Sequence, residues 1–235
     1  MSLKDMDIVY VVKDAAFNDE LRYSLRSVDK NFPHHDVFFY GGKPMYLKPD
    51  QQVVLHQIGK TKWDRVRMML KTIAFDDRIT ENFVLFNDDF FVMQPVKSLP
   101  AYEYGTLESL CERIESRNKG IPTPYTLKLR ETIAALEKDG LPAFNFELHV
   151  PFVFNRAQLL EVIERYPDIK GSRSLYGNTY LTSFTKHLVD RKIFKVNDLP
   201  PEDAIFISTE DRAFNEGKVG KMIRAKFPDK SRWER

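Results

Sequence analysis

The sequence predicts an α/β fold in which a mostly parallel, twisted sheet is flanked by helices on both sides. Two observations carry this prediction. Short apolar runs of strand length alternate along the first half of the chain with segments whose apolar residues recur at helical spacing. The 235 residues are 43% hydrophobic and include 18 Phe and 10 Tyr, which is enough for a sizeable core. Strands that alternate with helices favour parallel pairing through crossover connections.

The first half supplies four predicted strands and two predicted helices. The apolar run DIVYVV at residues 7–12 is the first strand, and Asn18 or Asp19 suits the cap of a helix over residues 20–31. Gly41-Gly42 ends the second strand. The remaining predictions are strands over 36–40, 52–58 and 82–86, the last continued by 90–93, and a helix over 62–75.

The second half begins with a predicted helical insertion or lid. Two helical patterns separated by residues 120–124 occupy about residues 105–142. A strand over 150–155, a helix over 158–165, a glycine-containing loop over 170–177 and a helix over about 176–190 are then predicted, followed by a strand over 204–208 and a closing helix to residue 226. We therefore expect one domain over residues 1–235 with this insertion.

Composition excludes several classes of protein. Lys plus Arg (36) nearly balances Asp plus Glu (34), so the chain gives no general case for nucleic-acid binding. The one cysteine, Cys111, rules out an intramolecular disulfide and is expected to pack in a helix. No signal peptide or membrane-spanning run is present, so we expect a cytoplasmic protein without a membrane span. The sequence contains none of the motifs of P-loop NTPases, dinucleotide oxidoreductases, zinc proteases or α/β-hydrolases, which argues against these classes. The motifs sought are GxxxxGK[ST], GxGxxG, CxxC, HExxH and GxSxG.

The triplet Asn87-Asp88-Asp89 is the strongest candidate for chemistry. Two adjacent carboxylates interrupt the apolar run VLFNDDFFV, and buried carboxylates are costly unless something compensates their charge. Mg²⁺ or Mn²⁺ would do so, because these ions prefer hard oxygen ligands and complete their shell with phosphate oxygens. The triplet is also predicted at the carboxyl end of a strand, where α/β sheets bind ligands. A capped turn between two strands is the alternative.

Four further residues are candidates, each with a structural alternative. His149 could deprotonate an acceptor hydroxyl or bind phosphate, or be a hydrogen-bonded core histidine. Arg22 and Arg26, four residues apart on one helix, could clamp a diphosphate or form a solvated face. Asp211, within Ser208-Thr209-Glu210-Asp211, could add a carboxylate to the site or lie in the first turn of a capped helix.

Several blocks of sequence resemble one family when they are taken in order. They are DIVY at residues 7–10, DELRYSLRS at 19–27, FNDDFF at 86–91, HVPF at 149–152 and FPDKSRWE at 227–234. In this order they resemble the Stealth family of sugar-1-phosphate transferases, which act in capsule synthesis. One departure is that Val11-Val12-Lys13-Asp14 stands where the family continues T-W-V-D-G.

The resemblance implies a nucleotide-sugar-binding fold of the GT-A type, a UDP-sugar-like donor and a divalent metal, Mg²⁺ or Mn²⁺. Asp88 and Asp89 would hold the metal and, with Asn87, the diphosphate. Arg22 and Arg26 would flank the donor phosphates, and His149 would be the reactive histidine. Lys13 and Asp14, at the end of the first strand, are expected on the donor side.

The leading hypothesis is a metal-dependent glycosyltransferase that uses a nucleotide-diphosphate sugar, with Asp89, His149, Asp211 and Arg22 as catalytic candidates. Three alternatives stay open: a sugar-1-phosphate transferase of the Stealth type, a non-catalytic nucleotide-sugar-binding module, and an enzyme that glycosylates modified DNA with its basic C-terminal tail. The acceptor would be a saccharide, a protein or modified DNA.

Overall fold

The structure is a computed structural model that describes residues 2–48, 52–54, 61–169 and 171–235. Its strands are β1 (Asp7–Val12), β2 (Val37–Gly41), β3 (Gln52–Val54), β4 (Asn82–Asn87), β5 (Phe90–Val92), β6 (Ala101–Glu103), β7 (Phe152–Asn155), β8 (Thr185–His187), β9 (Lys192–Ile193) and β10 (Phe206–Thr209). Its helices are α1 (Asp19–Asn31), α2 (Lys62–Phe75), α3 (Leu107–Arg117), α4 (Pro124–Lys138), α5 (Arg156–Arg165), α6 (Ser172–Tyr180), α7 (Asp211–Glu216) and α8 (Lys218–Lys226).

The central sheet has the strand order β3-β2-β1-β4-β7. The pairs β1–β2, β1–β4 and β2–β3 are parallel, and only the edge strand β7 runs antiparallel, against β4. The chain therefore runs outwards from β1 through β2 to β3 and then returns to the other side of β1 with β4. The mostly parallel sheet predicted from the sequence is confirmed.

Both faces of this sheet are covered, as predicted. Along β1, Ile8 and Tyr10 pack in the core that α1 closes with Leu21, while Val9 packs in the opposite core with Leu70 of α2. Successive side chains of a strand point to opposite faces, so a strand buried on both sides reads as a continuous apolar run. That is why DIVYVV lacks an alternating pattern.

A second, three-stranded sheet has the order β5-β10-β9, with β10 antiparallel to β5 and parallel to β9. The predicted continuation at residues 90–93 is therefore a strand, β5, but it does not extend the central sheet. Asp88 and Asp89 form the turn by which the chain leaves one sheet for the other. A short parallel pair, β6 and β8, completes the strands of the described residues.

The predicted helical insertion consists of α3 and α4. Each begins at a threonine, Thr106 or Thr123, whose side chain accepts a hydrogen bond from the backbone three residues later in a capping box. Leu129 and the predicted packing residue Cys111 are buried in the core that also contains α5 and α6. The insertion thus shares its core with the helices on one face of the sheet.

The predicted helix over residues 176–190 is wrong. The helix α6 starts earlier, at Ser172, and ends at Tyr180, after which a 3-10 turn leads into β8. Gly177 lies inside α6 and not in a loop. A Cβ at this position would sit 2.4 Å from the ring of Phe146, so the close packing of Phe146 requires a glycine. This glycine permits close packing, which sequence alone does not distinguish from a turn.

The predicted closing helix is divided at Gly217 into α7 and α8. A Cβ at Gly217 would lie 2.3 Å from the carbonyl oxygen of Ala213, so the break is packed too closely for any side chain. The predicted strand over 52–58 is described only as β3, and residues 55–58 lie outside the described residues.

No helix in the described ranges has the length and apolarity needed to cross a lipid bilayer.

Candidate functional site

The candidate site lies where β1 and β4 end side by side. Val11 pairs with Asn87, so Lys13 and Asp88 continue from the carboxyl ends of two adjacent parallel strands. The chain has crossed from one side of β1 to the other between these strands, which makes this the switch point of the sheet. Open α/β sheets bind ligands in the crevice at such a point.

Asp88 is held by uncharged donors. Its Oδ2 accepts hydrogen bonds from Asn18 Nδ2 at 2.6 Å and from the backbone nitrogen of Lys13 at 3.3 Å. Burial raises the pKa of the Asp88 carboxyl above its ordinary value, and the charge of Asp89 raises it further. Its Oδ1 accepts no hydrogen bond from the described residues.

Asp89 is held by the second sheet. Its Oδ2 accepts from Lys192 Nζ at 3.0 Å and from Ser208 Oγ at 2.8 Å, and its side chain is 14% exposed. As in Asp88, Oδ1 is without a hydrogen bond among the described residues. Each of the adjacent carboxylates therefore keeps one oxygen available to a ligand.

A third acidic group adjoins this pair. Glu20 accepts a hydrogen bond from Thr209 Oγ1 at 2.7 Å, and Lys13 Nζ lies 3.4 Å from Glu20 and 3.0 Å from Asp211. Burial raises the pKa of Glu20 to about 8, so this carboxyl carries a proton at neutral pH. A hydrogen bond from Glu20 holds the pKa of Asp211 below its ordinary range. The segment 208–211 thus both contributes to the site and starts α7, with Glu210 as the cap.

His149 forms a dyad with Asp190. Its Nδ1 lies 2.7 Å from Asp190 Oδ2, and its backbone nitrogen donates to Asp190 Oδ1 at 2.9 Å. Burial opposes ionisation of Asp190, but the hydrogen bonds from His149 outweigh it and hold the pKa of Asp190 below its ordinary value. Because an ionised carboxylate only accepts, Nδ1 carries the proton and Nε2 is left as a proton acceptor.

The two arginines of α1 are engaged differently. Arg26 makes a bidentate pair with Glu234 at 2.8 Å for both bonds and donates to the carbonyl oxygens of Phe227 and Pro228. Arg22 pairs with Asp19 at 2.8 Å, and its buried Nε donates no hydrogen bond and lies 3.7 Å from Glu234 Oε2. We retain only Arg22 as a candidate for phosphate contact, because Arg26 is occupied inside the protein.

Asn87 directly precedes the acidic pair, and Asp14 follows Lys13, whose backbone nitrogen bonds to Asp88. Asn87 is the last, half-buried residue of β4, and Asp14 is exposed after Lys13. The backbone of Lys13 packs closely against Gly42, where a Cβ would sit 2.2 Å from the carbonyl oxygen of Lys13. Lys13 and Asp14 thus follow the end of β1, and Asn87 ends the neighbouring strand β4.

The site also contains residues that the sequence does not single out. The sequence marks Asn18 only as a helix cap, and Glu20 only as a surface acid. Lys192 and Asp190 come from the stretch around β9, far from the triplet along the chain, and no local pattern marks either. Glu20 is buried at the start of α1, and this burial is visible only in the folded chain.

A divalent cation fits the acidic pair. Two adjacent carboxylates each offer one free hard oxygen, and Mg²⁺ and Mn²⁺ commonly take one or two carboxylates together with phosphate oxygens. The lysine on Asp89 offsets only one of the two charges, since Asp88 is bonded by an amide and a backbone N–H. The donor set and its residual negative charge therefore suit such an ion.

A different potential metal group lies at the amino ends of β1 and β2, opposite the carboxyl ends that carry the candidate site. Among the described residues, ligand atoms of Asp7, His35 and Asp36 lie within 4.8 Å of one another. The Asp7 carboxylate already accepts from His35 Nδ1 at 2.8 Å, Asp36 N at 3.0 Å and Thr80 N at 2.8 Å. This trio acts as a hydrogen-bonded link between strand starts, and we assign it no ligand. His56 lies outside the described residues.

No protein-family model and no curated protein matches this chain. The Stealth resemblance therefore stays a prediction. Among solved structures, an active-site mutant of LgtC matches with a TM-score of 0.42 and 14% identity over 80% of this chain and 75% of that chain. The galactosyltransferase LgtC in complex with donor and acceptor sugar analogs matches with a TM-score of 0.41 and 15% identity over 80% of this chain and 76% of that chain.

The glycosyltransferase GlyE of Streptococcus pneumoniae TIGR4 is also similar, with a TM-score of 0.36 and 10% identity over 78% of this chain and 45% of that chain. LgtC and GlyE are glycosyltransferases, and the three reported matches have 10% to 15% identity. All three TM-scores lie below 0.5, so the function of this chain is inferred from its own site.

Proposed function

We propose that this chain is a metal-dependent glycosyltransferase of the GT-A type, which transfers a sugar from a nucleotide diphosphate, with a UDP-sugar as the expected donor. One observation carries the proposal: Asp88 and Asp89 present free oxygens at the switch point between β1 and β4. Two carboxylates at a ligand-binding crevice need a cation, and a cation there attracts a diphosphate.

The donor side is built from the ends of β1 and β4. Asp88 and Asp89 would hold Mg²⁺ or Mn²⁺, which neutralises the charge that develops on the departing diphosphate. Arg22 lies on the same side, with its guanidinium 4.3 Å from the centre of the Tyr46 ring. The hydroxyl of Tyr46 donates at 2.6 Å to the carbonyl oxygen of Asn18, the residue that holds Asp88. Arg22 is thus suited to contact donor phosphate.

Proton transfer is assigned to His149. The acceptor hydroxyl oxygen attacks the anomeric carbon of the donor, the bond from that carbon to the diphosphate oxygen breaks, and the nucleoside diphosphate leaves with the bonding electrons. His149 Nε2 takes the hydroxyl proton. Asp190, 2.7 Å from Nδ1, orients the imidazole and stabilises the imidazolium that forms.

Lys13 and Asp211 form the remaining part of the mechanism. Asp211 is 69% exposed and lies 3.0 Å from Lys13 Nζ, and the backbone nitrogen of Lys13 bonds to Asp88. Asp211 therefore positions the ammonium group of Lys13 near the acidic pair, where it is available to the diphosphate. We place Asp14 and Asn87 on the donor rim of the same crevice.

The proposal is tested by assaying nucleoside diphosphate release from UDP-glucose and UDP-galactose in Mn²⁺, for wild type and Asp89→Asn. Loss of one charge-stabilising group at a reaction centre costs roughly 100-fold in rate. We expect that loss for Asp89→Asn and none for Asp139→Asn, which changes a helix-end carboxylate bonded to Tyr166. Equal rates for Asp89→Asn and wild type would contradict the assignment.

The same reaction distinguishes the alternative chemistry. Glycosyl transfer releases UDP and leaves no phosphorus in the acceptor product, so phosphorus NMR should show UDP as the one new phosphorus-containing species. Sugar-1-phosphate transfer would release UMP and give a phosphodiester signal in the product. That signal would contradict glycosyl transfer, whereas donor binding without turnover would indicate a binding module.

A further inference from the structure

Arg173 lies buried beneath the segment that carries His149. Its Nη1 donates to the carbonyl oxygens of Leu148 at 2.7 Å and Val150 at 2.8 Å. Its guanidinium also faces the rings of Phe90 and Phe152, with centroids 5.4 Å and 5.7 Å away. Arg173 therefore fixes the backbone on both sides of His149 from below.

The other end of this guanidinium has no partner in the described part of the chain. Arg173 is only 8% exposed, and its Nη2 is buried without a hydrogen bond. A guanidinium stays charged in proteins, and a buried donor without an acceptor costs free energy. Native structures rarely leave such a group without a use, which points to a ligand atom as its partner.

Two further groups with free hydrogen-bonding capacity, Glu147 and Tyr125, lie close enough to act electrostatically on Arg173. Glu147 uses Oε1 to accept from Ser174 N at 2.9 Å, while its Oε2 accepts nothing from the described residues. Tyr125, from the first turn of α4, makes no hydrogen bond through its hydroxyl in the described ranges. Burial raises the pKa of Tyr125, and the nearby carboxylates of Glu147 and Asp190 raise it further, so its hydroxyl stays protonated beside them.

The charges around Arg173 select the chemistry of a ligand that it would bind. The carboxylates of Glu147, Asp89 and Asp190 act on Arg173, and Lys192 is already bound to Asp89. Lys192 and the proposed cation offset Asp89, so an anionic ligand would meet the two carboxylates of Glu147 and Asp190 against the one guanidinium of Arg173. A neutral hydroxyl can instead accept from the guanidinium and donate to a carboxylate, which leaves no charge uncompensated.

We propose that Arg173, Glu147 and Tyr125 form the acceptor subsite and bind the hydroxyl groups of a neutral saccharide beside His149. This inference rests on the proposed glycosyltransferase function and names its acceptor class. It also gives the helical insertion a role, because α4 supplies Tyr125 to the subsite. An acceptor held here lies next to the dyad that removes its proton.

The first step of the test identifies the class of acceptor. Transfer from a UDP-sugar in Mn²⁺ is measured to methyl glucoside, methyl galactoside and lactose as neutral probes, and to methyl glucuronide as an anionic probe. We expect transfer to at least one neutral sugar and at least tenfold weaker use of the glucuronide. Preference for the anionic sugar, or no use of any neutral one, would overturn the inference.

The second step uses two conservative variants that keep the packing. Tyr125→Phe removes one hydroxyl, and Glu147→Gln removes one charge but keeps the oxygen that accepts from Ser174 N. Loss of one hydrogen bond to a bound sugar should raise the KM for the neutral acceptor about tenfold in each variant, while the affinity for the UDP-sugar stays the same.

The controls for these variants are Tyr166→Phe and Glu137→Gln, which change the same residue types elsewhere. Tyr166 bonds to Asp139 at the end of α4, and Glu137 is exposed. Unchanged acceptor KM in both subsite variants, with normal donor affinity, would overturn the acceptor subsite and leave the proposed function standing. Failure of the wild type to bind any UDP-sugar would instead overturn the proposed function.

Discussion

Asn18 makes two hydrogen bonds that act on different parts of the molecule. Its Oδ1 accepts from Leu21 N at 3.1 Å and caps α1, and its Nδ2 donates to Asp88 at 2.6 Å. The start of the helix and the position of the acidic pair are therefore fixed by one side chain. A cap residue is visible in sequence, whereas its second bond depends on a residue 70 positions away.

The Asn18→Ala variant should lose both functions. Loss of the cap costs about 1 kcal/mol of unfolding free energy. Asp88 would also lose the hydrogen bond that positions its carboxylate, so the variant should bind a UDP-sugar in Mn²⁺ more weakly. Calorimetry measures this affinity. The matched control is Asn155→Ala, which removes the asparagine cap of α5 away from the switch point. Equal donor affinity in the two variants would contradict the role of Asn18 at the site.

Glu20 should make stability depend on pH. Its pKa is raised by burial to about 8, so the folded state binds a proton that the unfolded chain releases above its ordinary pKa of 4.5. Unfolding free energy should therefore fall as pH rises from about 5 to about 8, because the unfolded state binds fewer protons over that window. Chemical denaturation at a series of pH values measures this fall.

The control for Glu20 is Glu20→Gln, which keeps an oxygen for Thr209 and cannot ionise. We expect a flatter stability profile between about pH 5 and about pH 8 in this variant than in wild type. A wild-type profile that rises over the same window would contradict the buried, protonated state of Glu20.

The sequence predicted those site residues that stand in an unusual local pattern. Asp88 and Asp89 stand out because two acids interrupt an apolar run, and the structure places them at the carboxyl end of β4. Lys192 binds Asp89 but comes from a two-residue strand that has no pattern of its own. Such contacts arise from tertiary pairing, so no local sequence signal predicts them.

The loop after β1 depends on Gly42, the residue after β2. A Cβ there would meet backbone atoms of Lys13 and Asp14 at 2.2 Å and 2.7 Å, and backbone cannot move as a flexible side chain does. Gly42→Ala should displace Lys13 and lower the affinity for a UDP-sugar. A displacement of about an ångström can cost roughly 100-fold. A titration with UDP-sugar measures the change.

A matched glycine separates this effect from simple strain. Gly140 has φ +67, and a Cβ there would meet nothing within 4 Å. Gly140→Ala should therefore lose stability through its backbone conformation without losing donor affinity. If Gly42→Ala binds the donor as tightly as Gly140→Ala, the close approach of Gly42 does not shape the site.

Elements with strong periodicity were predicted well, and elements defined by their partners were not. The helices α1 and α2 follow the predicted apolar spacing almost to the residue. In contrast, α6 contains Gly177, a glycine that the packing of Phe146 requires and that resembles a turn signal in the sequence. The strands β8 and β9 have only three and two residues. Elements this short take their conformation from pairing, which overrides local propensity.

The end of the chain is tied to α1 by a buried ion pair. Glu234 accepts two hydrogen bonds from Arg26 and further ones from Ser231, and the pair is 10% and 3% exposed. Burial opposes ionisation of Glu234, but the bonds from Arg26 and Ser231 hold its pKa below the ordinary value. The block FPDKSRWE is therefore explained by this contact as a structural feature.

Removal of Glu234 should destabilise the whole molecule. An uncompensated buried Arg26 costs about 3 kcal/mol, so Glu234→Ala should lower the unfolding free energy by that amount in urea denaturation. The control is Glu216→Ala, whose pair with Arg212 is 62% and 72% exposed and whose loss should therefore cost much less. Equal losses in both variants would contradict the structural role of the C-terminal contact.

At the scale of the molecule, sequence predicted parallel strands with helices on both faces but not the order of those strands. Apolar runs such as DIVYVV show burial on both sides, and burial does not reveal which strand lies beside β1. The return of the chain to β4 on the other side of β1 creates the crevice that Asp88 and Lys13 line. The position of the site follows from topology, which emerges only from the folded chain.

The central claim is that this crevice binds a nucleotide-diphosphate sugar together with a divalent ion. A thermal-shift screen of nucleotide sugars with and without Mn²⁺ tests it, because a ligand at about 100 times its Kd adds about 2.7 kcal/mol of stability. We predict that a UDP-sugar and Mn²⁺ together raise the melting temperature more than either alone, and that Asp89→Asn abolishes the joint effect. No shift with any donor, or the same shift in Asp89→Asn, would contradict the claim.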